Sequence, residues 1–410
     1  MQAGSAQHEH YWDPLRAGLM LLGVPYHASL LYSDAISWSL KDFQTSPVLT
    51  ILGIVLTTFR MPTFFLVAGY FSEMAIGKKG SGAWLQSRFL RLGIPFVAAI
   101  VVLGPLQLFL LDISEIVKGQ ASFEQVIGRL PQTLALSSRW IMHLWFLPAL
   151  LFYSVLLAAI LFLGQQRPGL QIKQNCERLK SRHPRFFLSA ICMLAIVWEL
   201  AVYATALMAR DRENDILSFY ERASDPYARY LPFFLIGALL NRDKALFHRF
   251  RQTGPSIACL TVVAISAAVM LRLQQPYGNS VWQVLASAVA AIAAARLLLD
   301  FCCRFFVEPN IILKRLADAS FTIYLVHHPL IYAFGTAFIA VNMPPIVEFS
   351  VIVAATVGLA YLLHRAVRQP SSSSTGSAGH RRRHIHPRTT SPKPFVKVGS
   401  VTVEPPFNWK

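Results

Sequence analysis

Stretches of the length a helix needs to cross the hydrocarbon of a bilayer, about 20 apolar residues, recur along most of this chain. They are Leu15–Tyr32, Val48–Ser72, Phe89–Leu111, His143–Leu163, Phe186–Met208, Tyr230–Leu240, Ile257–Leu273, Val281–Leu299, Ser320–Val341 and Ile346–His364. Runs like these leave the chain little room to be soluble, because each would have to be buried on every side. Composition agrees: 54% of the 410 residues are hydrophobic and 14% charged, against about 25% charged in a soluble domain. The expected fold is an all-α integral membrane protein with about ten transmembrane helices, both termini cytoplasmic.

The sixth run, YLPFFLIGALL, is short for a span. Loop charge argues for keeping it. With the N-terminus inside, the inner loops collect Lys78, Lys79 and Arg88, then Arg167, Lys173, Arg178, Lys180, Arg182 and Arg185, then Arg242, Lys244, Arg249 and Arg251, then Arg304, Lys314 and Arg315. The outer stretch ARDRENDILSFYERASDPYARY offsets base with acid. This follows the positive-inside rule, and without the sixth span the basic 241–255 segment would face the wrong side.

Met1–Tyr11 has neither a basic n-region nor a small-residue cleavage site, so the first run reads as a retained span. The domain reading is a cytoplasmic segment 1–14, a ten-span membrane domain 15–368, and a Ser-, Pro- and Arg-rich disordered cytoplasmic tail 369–410. Topology and tail account for the net charge of +17, and no nucleic-acid module is visible. The five cysteines lack ligand spacing, so no metal site is expected.

Against this apolar background the ionisable groups inside the runs stand out, because burying each costs several kcal/mol unless it is paired or wet. In DPLRAGLMLLGVPYH, ten residues separate Arg16 from His27. Eleven helical steps are about three turns, which puts both side chains on nearly one face, about 16 Å apart. Arg60 sits within TTFRMPTFFLVAGYFS beside Pro62, which is expected to loosen that helix. Glu199 lies midway along the fifth run. His327 and His328 lie about two turns into the ninth run, in ASFTIYLVHHPL. His143 opens the fourth run beside Trp145, in HLWFLP, at the outer edge.

Structural roles compete with chemical ones. Glu199 can pair with an arginine, His143 can anchor at the interface, and one of the span-nine histidines can be merely hydrogen-bonded. Three imidazoles in two spans (His27, His327 and His328) are harder to explain by packing.

A second group lies at the inner edge. Arg88 and Arg91, in SRFLRLGIP, stand at i and i+3, hence on one helical face. With Arg16 they suit an anion, since guanidinium groups bind phosphates bidentately. Inner arginines, a mid-membrane histidine and outer aromatics together suit acyl transfer from a phosphate-bearing cytoplasmic donor to an acceptor on the far side.

The same residues resemble the acyltransferase-3 superfamily of integral membrane acyltransferases. Arg16 and His27 match its Arg–x10–His signature, Arg88–Arg91 its RxxR element, and SFTIYLVHHP its late Tyr–Leu–x–His segment, which maps onto His327. FRMPTFFLVAGYFS, RLGIPF, HLWFL and YLPFFLIGALL extend the likeness from residue 13 to residue 330. It is strongest to members that succinylate osmoregulated periplasmic glucans. The resemblance implies an inner-membrane enzyme with succinyl-CoA as donor and a periplasmic glucan as acceptor. Membrane lipid and other glucan-biosynthesis proteins are its implied partners. Stretches 112–142 and 209–229 match poorly, and the tail after Gln369 has no counterpart.

On this reading Arg16, His27, His327 and Arg60 are the catalytic candidates. Arg88 and Arg91 bind the CoA phosphates, and His143, Trp145, Glu199 and His328 face the acceptor. His27 acts as general base, and Arg60 or His327 stabilises the oxyanion. Direct transfer and an acyl-histidine relay both fit, as do an acetyltransferase acting on another surface polysaccharide, a proton-coupled transporter and a scaffold without chemistry.

Overall fold

The computed structural model describes residues 10–135, 138–164, 166, 174, 177–178, 182–210, 227–275, 280–341 and 343–368. The expected 369–410 tail and most of the 209–229 stretch lie outside them. Among the described residues there is no strand.

The chain opens with α1 (Trp12–Leu21) and α2 (Gly23–Leu30), then α3 (Pro47–Lys79), α4 (Ser81–Arg88) and α5 (Ile94–Val117). After α6 (Phe123–Thr133) come α7 (Phe146–Leu163), α8 (Pro184–Arg210), α9 (Leu231–Arg242) and α10 (Lys244–Arg251). The last four are α11 (Pro255–Gln274), α12 (Val281–Phe305), α13 (Ile311–Phe338) and α14 (Pro345–Arg368).

Seven segments are long and apolar enough to cross a membrane: α3, the Ser81–Val117 segment, Met142–Leu163, the Phe186–Met208 part of α8, α11, α12 and α14. They correspond to seven of the expected runs. The other three expected spans correspond to α1 with α2, α9 and α13. The first is interrupted at Leu22, the second has 12 residues, and the third is 28 residues long but carries polar groups. Outward faces are apolar, as lipid requires: Val97, Val101 and Val102 on α5, Leu194 and Val197 on α8, and Val262 and Val263 on α11 are all exposed. The chain is an all-α integral membrane protein.

Burial ranks the helices. In α3, 61% of the apolar window is buried, against 17% in α8 and 22% in α11 and α14, so α3 is the central post and those three form the rim. Pro62 does not break it. The helix runs unbroken from Pro47 to Lys79, so the loosening expected at Pro62 is absorbed without a kink that ends it.

α9 crosses α3 at the closest possible range. A Cβ on Gly69 would overlap the Phe234 carbonyl, and one on Gly237 would overlap the Leu66 carbonyl. Two glycines facing each other let the backbones touch, which is how helices gain packing area in lipid.

The helix termini rich in base gather at one end. Lys244 donates to the Tyr70 hydroxyl at 2.8 Å, Arg304 pairs with Asp300 at 2.8 Å, and Arg368 reaches Asp318 at 3.4 Å. Arg296 ties α10 to α12 by donating to the Phe250 and Gln252 carbonyls at 2.8 and 3.1 Å. At the opposite end, Tyr32 donates to Glu348 at 2.9 Å. There α6 exposes Phe123, Ile127 and Leu134 along one side, and Arg129 joins Glu115 of α5 at 2.7 Å.

Candidate active site

Four imidazoles meet inside the bundle. The His27 ring lies 5.2 Å from His327 and 4.9 Å from His328, centroid to centroid, and 6.5 Å from His143. His143 stacks on His328 at 4.5 Å with 11° between the planes. His327 and His328 were expected in the site, with their relative roles open. Both are buried in it. His143, expected at the outer edge, is 3% exposed and packed against the other three rings.

Its position follows from two local features. Met142 has φ +36°, a conformation side chains rarely adopt, and it turns the short 3-10 segment Met142–Trp145 inward. Pro329 has no N–H to give to the carbonyl of Leu325, four residues earlier in α13. That carbonyl instead accepts from His143 Nε2 at 3.2 Å.

Neighbouring acceptors fix the ring tautomers. His327 Nδ1 donates to the Tyr324 carbonyl at 2.5 Å, which leaves the buried Nε2 as a lone pair without a protein partner. His328 Nδ1 donates to the Gln107 Oε1 at 2.6 Å. Gln107 is oriented for this because its Nε2 donates to the Leu103 carbonyl at 2.9 Å. His27 Nδ1 has no protein partner, and His27 is the one ring of the four that is only half-buried. The unpartnered Nε2 of His327 and Nδ1 of His143 therefore belong to the same cluster as the His27 ring. Among the described residues no three His, Cys, Asp or Glu side chains are placed to hold a metal.

The loop 31–46 lids this cluster. Lys41 donates to the carbonyls of Leu30 (3.0 Å), Ser33 and Ile36 (2.6 Å), folding the loop back on α2. Burial pushes the Lys41 ammonium down to about 8, with Asp34 pulling the other way, so it stays charged at neutral pH. Trp38 is thereby set 5.9 Å from His27, 5.4 Å from His328 and 5.1 Å from Tyr332. Replacing Lys41 with Met should release three acceptors and loosen the lid. Acyl transfer is expected to fall by about tenfold while the protein still folds, because three charge-assisted bonds on a half-buried loop are lost. Tryptophan fluorescence quenching would report the lid: unchanged access to Trp38 would count against it.

Arg60 reaches the same region from α3. It is 4% exposed, its guanidinium lies 4.6 Å above the Tyr26 ring, and it hydrogen-bonds the Tyr324 side chain.

Two cavities are lined by neighbours of the cluster, Phe146 in one and Tyr26 in the other. The first, about 190 Å³, starts among Arg16, Arg88, Lys314, Asp13 and Asp318 and continues between apolar walls of Leu19, Val67, Phe71 and Leu150 up to Phe146. Phe146 touches Tyr324 at 4.6 Å, and Tyr324 lies 5.0 Å from His327. Arg88 is 6% exposed and is held by Ser72, to which it donates at 2.8 Å. The second cavity, about 290 Å³, is lined by Tyr26, Thr58, Glu199, Tyr230, Arg272 and Gln283.

The placement of the expected residues is uneven. Arg16 and Arg88 line the first cavity together, whereas Arg91 does not line it. Immediately after Arg88 the chain winds into a π-turn, Phe89–Gly93, and its wider winding takes Arg91 off the face that α-helical spacing assigns it. The first span likewise breaks at Leu22: Pro25 cannot bond the Leu21 carbonyl, so Arg16 and His27 sit on consecutive helices, Arg16 at the cavity mouth and His27 in the cluster. Glu199 is paired, as one expectation had it, with Arg229 at 3.6 Å, and both face the second cavity. Trp145 turns away from the imidazoles and stacks on Tyr230 at 5.6 Å.

Sequence reasoning missed Trp38, Lys41, Gln107 and Tyr324. Gln107 had a signal, as the one amide in GPLQLFLL. Pro329 following the paired histidines was the signal for a freed carbonyl.

Residues 9–365 match the acyltransferase domain family, acyltransferase 3. Glucans biosynthesis protein C of Escherichia coli O139:H28 (strain E24377A / ETEC) is 31% identical over 343 residues, spanning 80% of this chain and 84% of that protein. The proteins of that name from Escherichia coli strains K12 and SMS-3-5 / SECEC are also 31% identical over the same shares. No solved structure matches the chain. With a family match over residues 9–365 and relatives 31% identical over 80% of its length, the chain belongs to the acyltransferase-3 family and is a multi-pass membrane acyltransferase.

Proposed function

We propose that this acyltransferase moves a succinyl group from succinyl-CoA, at the cytoplasmic face of the bacterial inner membrane, to hydroxyls of a periplasmic glucan. One observation carries the reading. One cavity joins a mouth of three cations (Arg16, Arg88 and Lys314) and two carboxylates (Asp13 and Asp318) to apolar walls that include Phe146, which touches Tyr324 beside the histidine cluster. A phosphate-rich head fits the mouth and a thioester arm fits the walls. The basic end then faces the cytoplasm, in keeping with the positive-inside rule. The glucan acceptor rests on the likeness to glucans biosynthesis protein C, and the succinyl group on the likeness to glucan-succinylating members.

On this proposal His27 takes the proton of a glucan hydroxyl. The oxygen attacks the thioester carbon, a C–O bond forms and the C–S bond breaks. The departing thiolate recovers the proton from the imidazolium, leaving CoA thiol and glucan ester. General-base help of this kind contributes ~10²–10⁴-fold. The second cavity takes the sugar, with Glu199, Arg229 and Gln283 as polar partners and Tyr26 and Tyr230 as flat faces. Trp145 supports Tyr230 from behind. His143 and His328, stacked together, wall the acceptor side of His27.

The test is mass spectrometry of the periplasmic glucan from cells with and without this protein. A succinyl increment that needs the protein is expected. An acetyl increment would keep acyl transfer and replace the donor, and unmodified glucan in both strains would overturn the acceptor. Arg88→Ala should raise the KM for acyl-CoA by ~10–100-fold with little change in kcat, the loss of one charge-assisted contact. An unchanged KM would remove Arg88 from the donor site.

A further inference from the structure

Arg60 is a buried cation with no anion. At 4% exposure, its Nε and Nη1 have no hydrogen-bond partner, and among the described residues none of the ion pairs includes it. Its neighbours are the Tyr26 ring at 4.6 Å, the Tyr324 side chain and the backbone at Gly23, all neutral. A Cβ on Gly23 would come within 3.1 Å of Nη1, so the guanidinium fills the space that glycine leaves.

Two other buried charges in the bundle are answered by opposite charges. Glu199 has Arg229, and Asp300 has Arg304 and accepts from Thr253. A buried, uncompensated charge is strongly unfavourable, and proteins retain one where a ligand supplies the counter-charge.

Its place in the bundle narrows which ligand. Tyr324 joins it to Phe146 and the end of the cationic cavity, and Tyr26 joins it to the wall of the second cavity. Tyr26 also touches His27, ring to ring at 4.7 Å. Arg60 therefore stands one side chain away from the His27 ring, and it does not line the cavity of the phosphate mouth. The CoA phosphates stop at Arg16 and Arg88. The anion that reaches this depth is one carried on the acyl chain itself.

We propose that Arg60 receives the free carboxylate of the transferred acyl group and so makes this site select monoacyl donors of dicarboxylic acids over neutral acyl donors. This rests on the acyl-transfer reading above and specifies its substrate. Two parallel N–H groups on one side of a planar guanidinium match a carboxylate fork. The bound acyl chain would then span from that fork to the thioester carbonyl beside His27, which orients the reacting carbon without a contact to it.

The experiment measures transfer to glucan by membranes carrying the full chain, with succinyl-CoA and with butyryl-CoA. Butyryl has the same carbon count and a methyl in place of the carboxylate. The ratio of the two rates is the readout. In Arg60→Gln the succinyl-to-butyryl ratio should fall by at least ~10²-fold, as expected when a buried charge pair loses one member. Arg60→Lys should fall between, since it keeps the charge and loses the fork.

Both rates falling together, with the ratio unchanged, would overturn the proposal and leave Arg60 acting on the carbonyl oxygen or on folding. If Arg60→Gln transfers neither group, Arg60→Lys decides, and a wild-type ratio there overturns the proposal. Wild-type membranes that transfer neither group would instead overturn the succinyl-CoA reading beneath it.

Discussion

His27→Ala is expected to abolish glucan acylation while the protein still accumulates in the membrane. The ring is half-buried and open on one side, and its Nδ1 makes no structural hydrogen bond. Removing it takes away a base and little packing. By contrast, His143 and His328 hold backbone and amide partners, so deleting either would disturb α13. The expected loss is ~10²–10⁴-fold in rate, set by the value of a positioned general base. His27→Gln should do no better, since an amide keeps a hydrogen-bonding group and cannot accept the proton at neutral pH. Membrane level by immunoblot, read beside the mass spectrum of the glucan, separates chemistry from folding. Near-normal acylation at normal protein level would take His27 out of the reaction.

Gly237→Ala is expected to cost the fold rather than the chemistry. The new methyl would overlap the Leu66 carbonyl, which belongs to the rigid backbone of α3 and cannot rotate away. Gly69→Ala meets the Phe234 carbonyl in the reciprocal way. Overpacking in a close interior typically costs ~1–3 kcal/mol, and a backbone–backbone contact lies at or above the upper end. α9 has only 12 residues and hangs on this crossing, so its loss would also disturb the α3 face that carries Arg60. Size-exclusion of detergent-solubilised protein should show loss of the monodisperse species in both variants. Gly18→Ala and Gly77→Ala are the controls: nothing lies within 4 Å of a Cβ at either position, and helix propensity favours alanine by ~1 kcal/mol. Wild-type behaviour of Gly237→Ala would show that the two helices do not pack this closely.

The fate of individual residues shows where sequence reasoning ran well. Arg16 and Arg88 were grouped as an anion site on charge and edge position, and they line one cavity. His27, His327 and His328 were grouped because imidazoles in apolar runs demand company, and their rings lie within 4.9–6.1 Å of one another. In both cases the argument used a property of one residue and its solvent. Arg91 does not line that cavity, since the spacing rule assumed α-helical winding and the chain took a π-turn. Lys41 and Trp38 were passed over because they lie in a polar loop, where neither periodicity nor apolarity marks a residue.

By itself the sequence determined that this chain lies in a membrane, that it is helical throughout its described length, and which ionisable groups must face inward. Those are local consequences of a solvent that refuses unpaired polar groups, and a window of about 20 residues registers them. The tertiary structure alone decided that His143 joins the cluster and that Gln107 orients His328. It alone decided that Trp38 covers the rings, and that Arg60 is left without a counter-charge. Each of these depends on groups far apart in the chain, His328 and Gln107 being 221 residues apart. Their meeting is set by how helices cross, by a carbonyl freed at Pro329 and by two glycines that let α3 and α9 touch. No window along the chain contains both sides of such a contact.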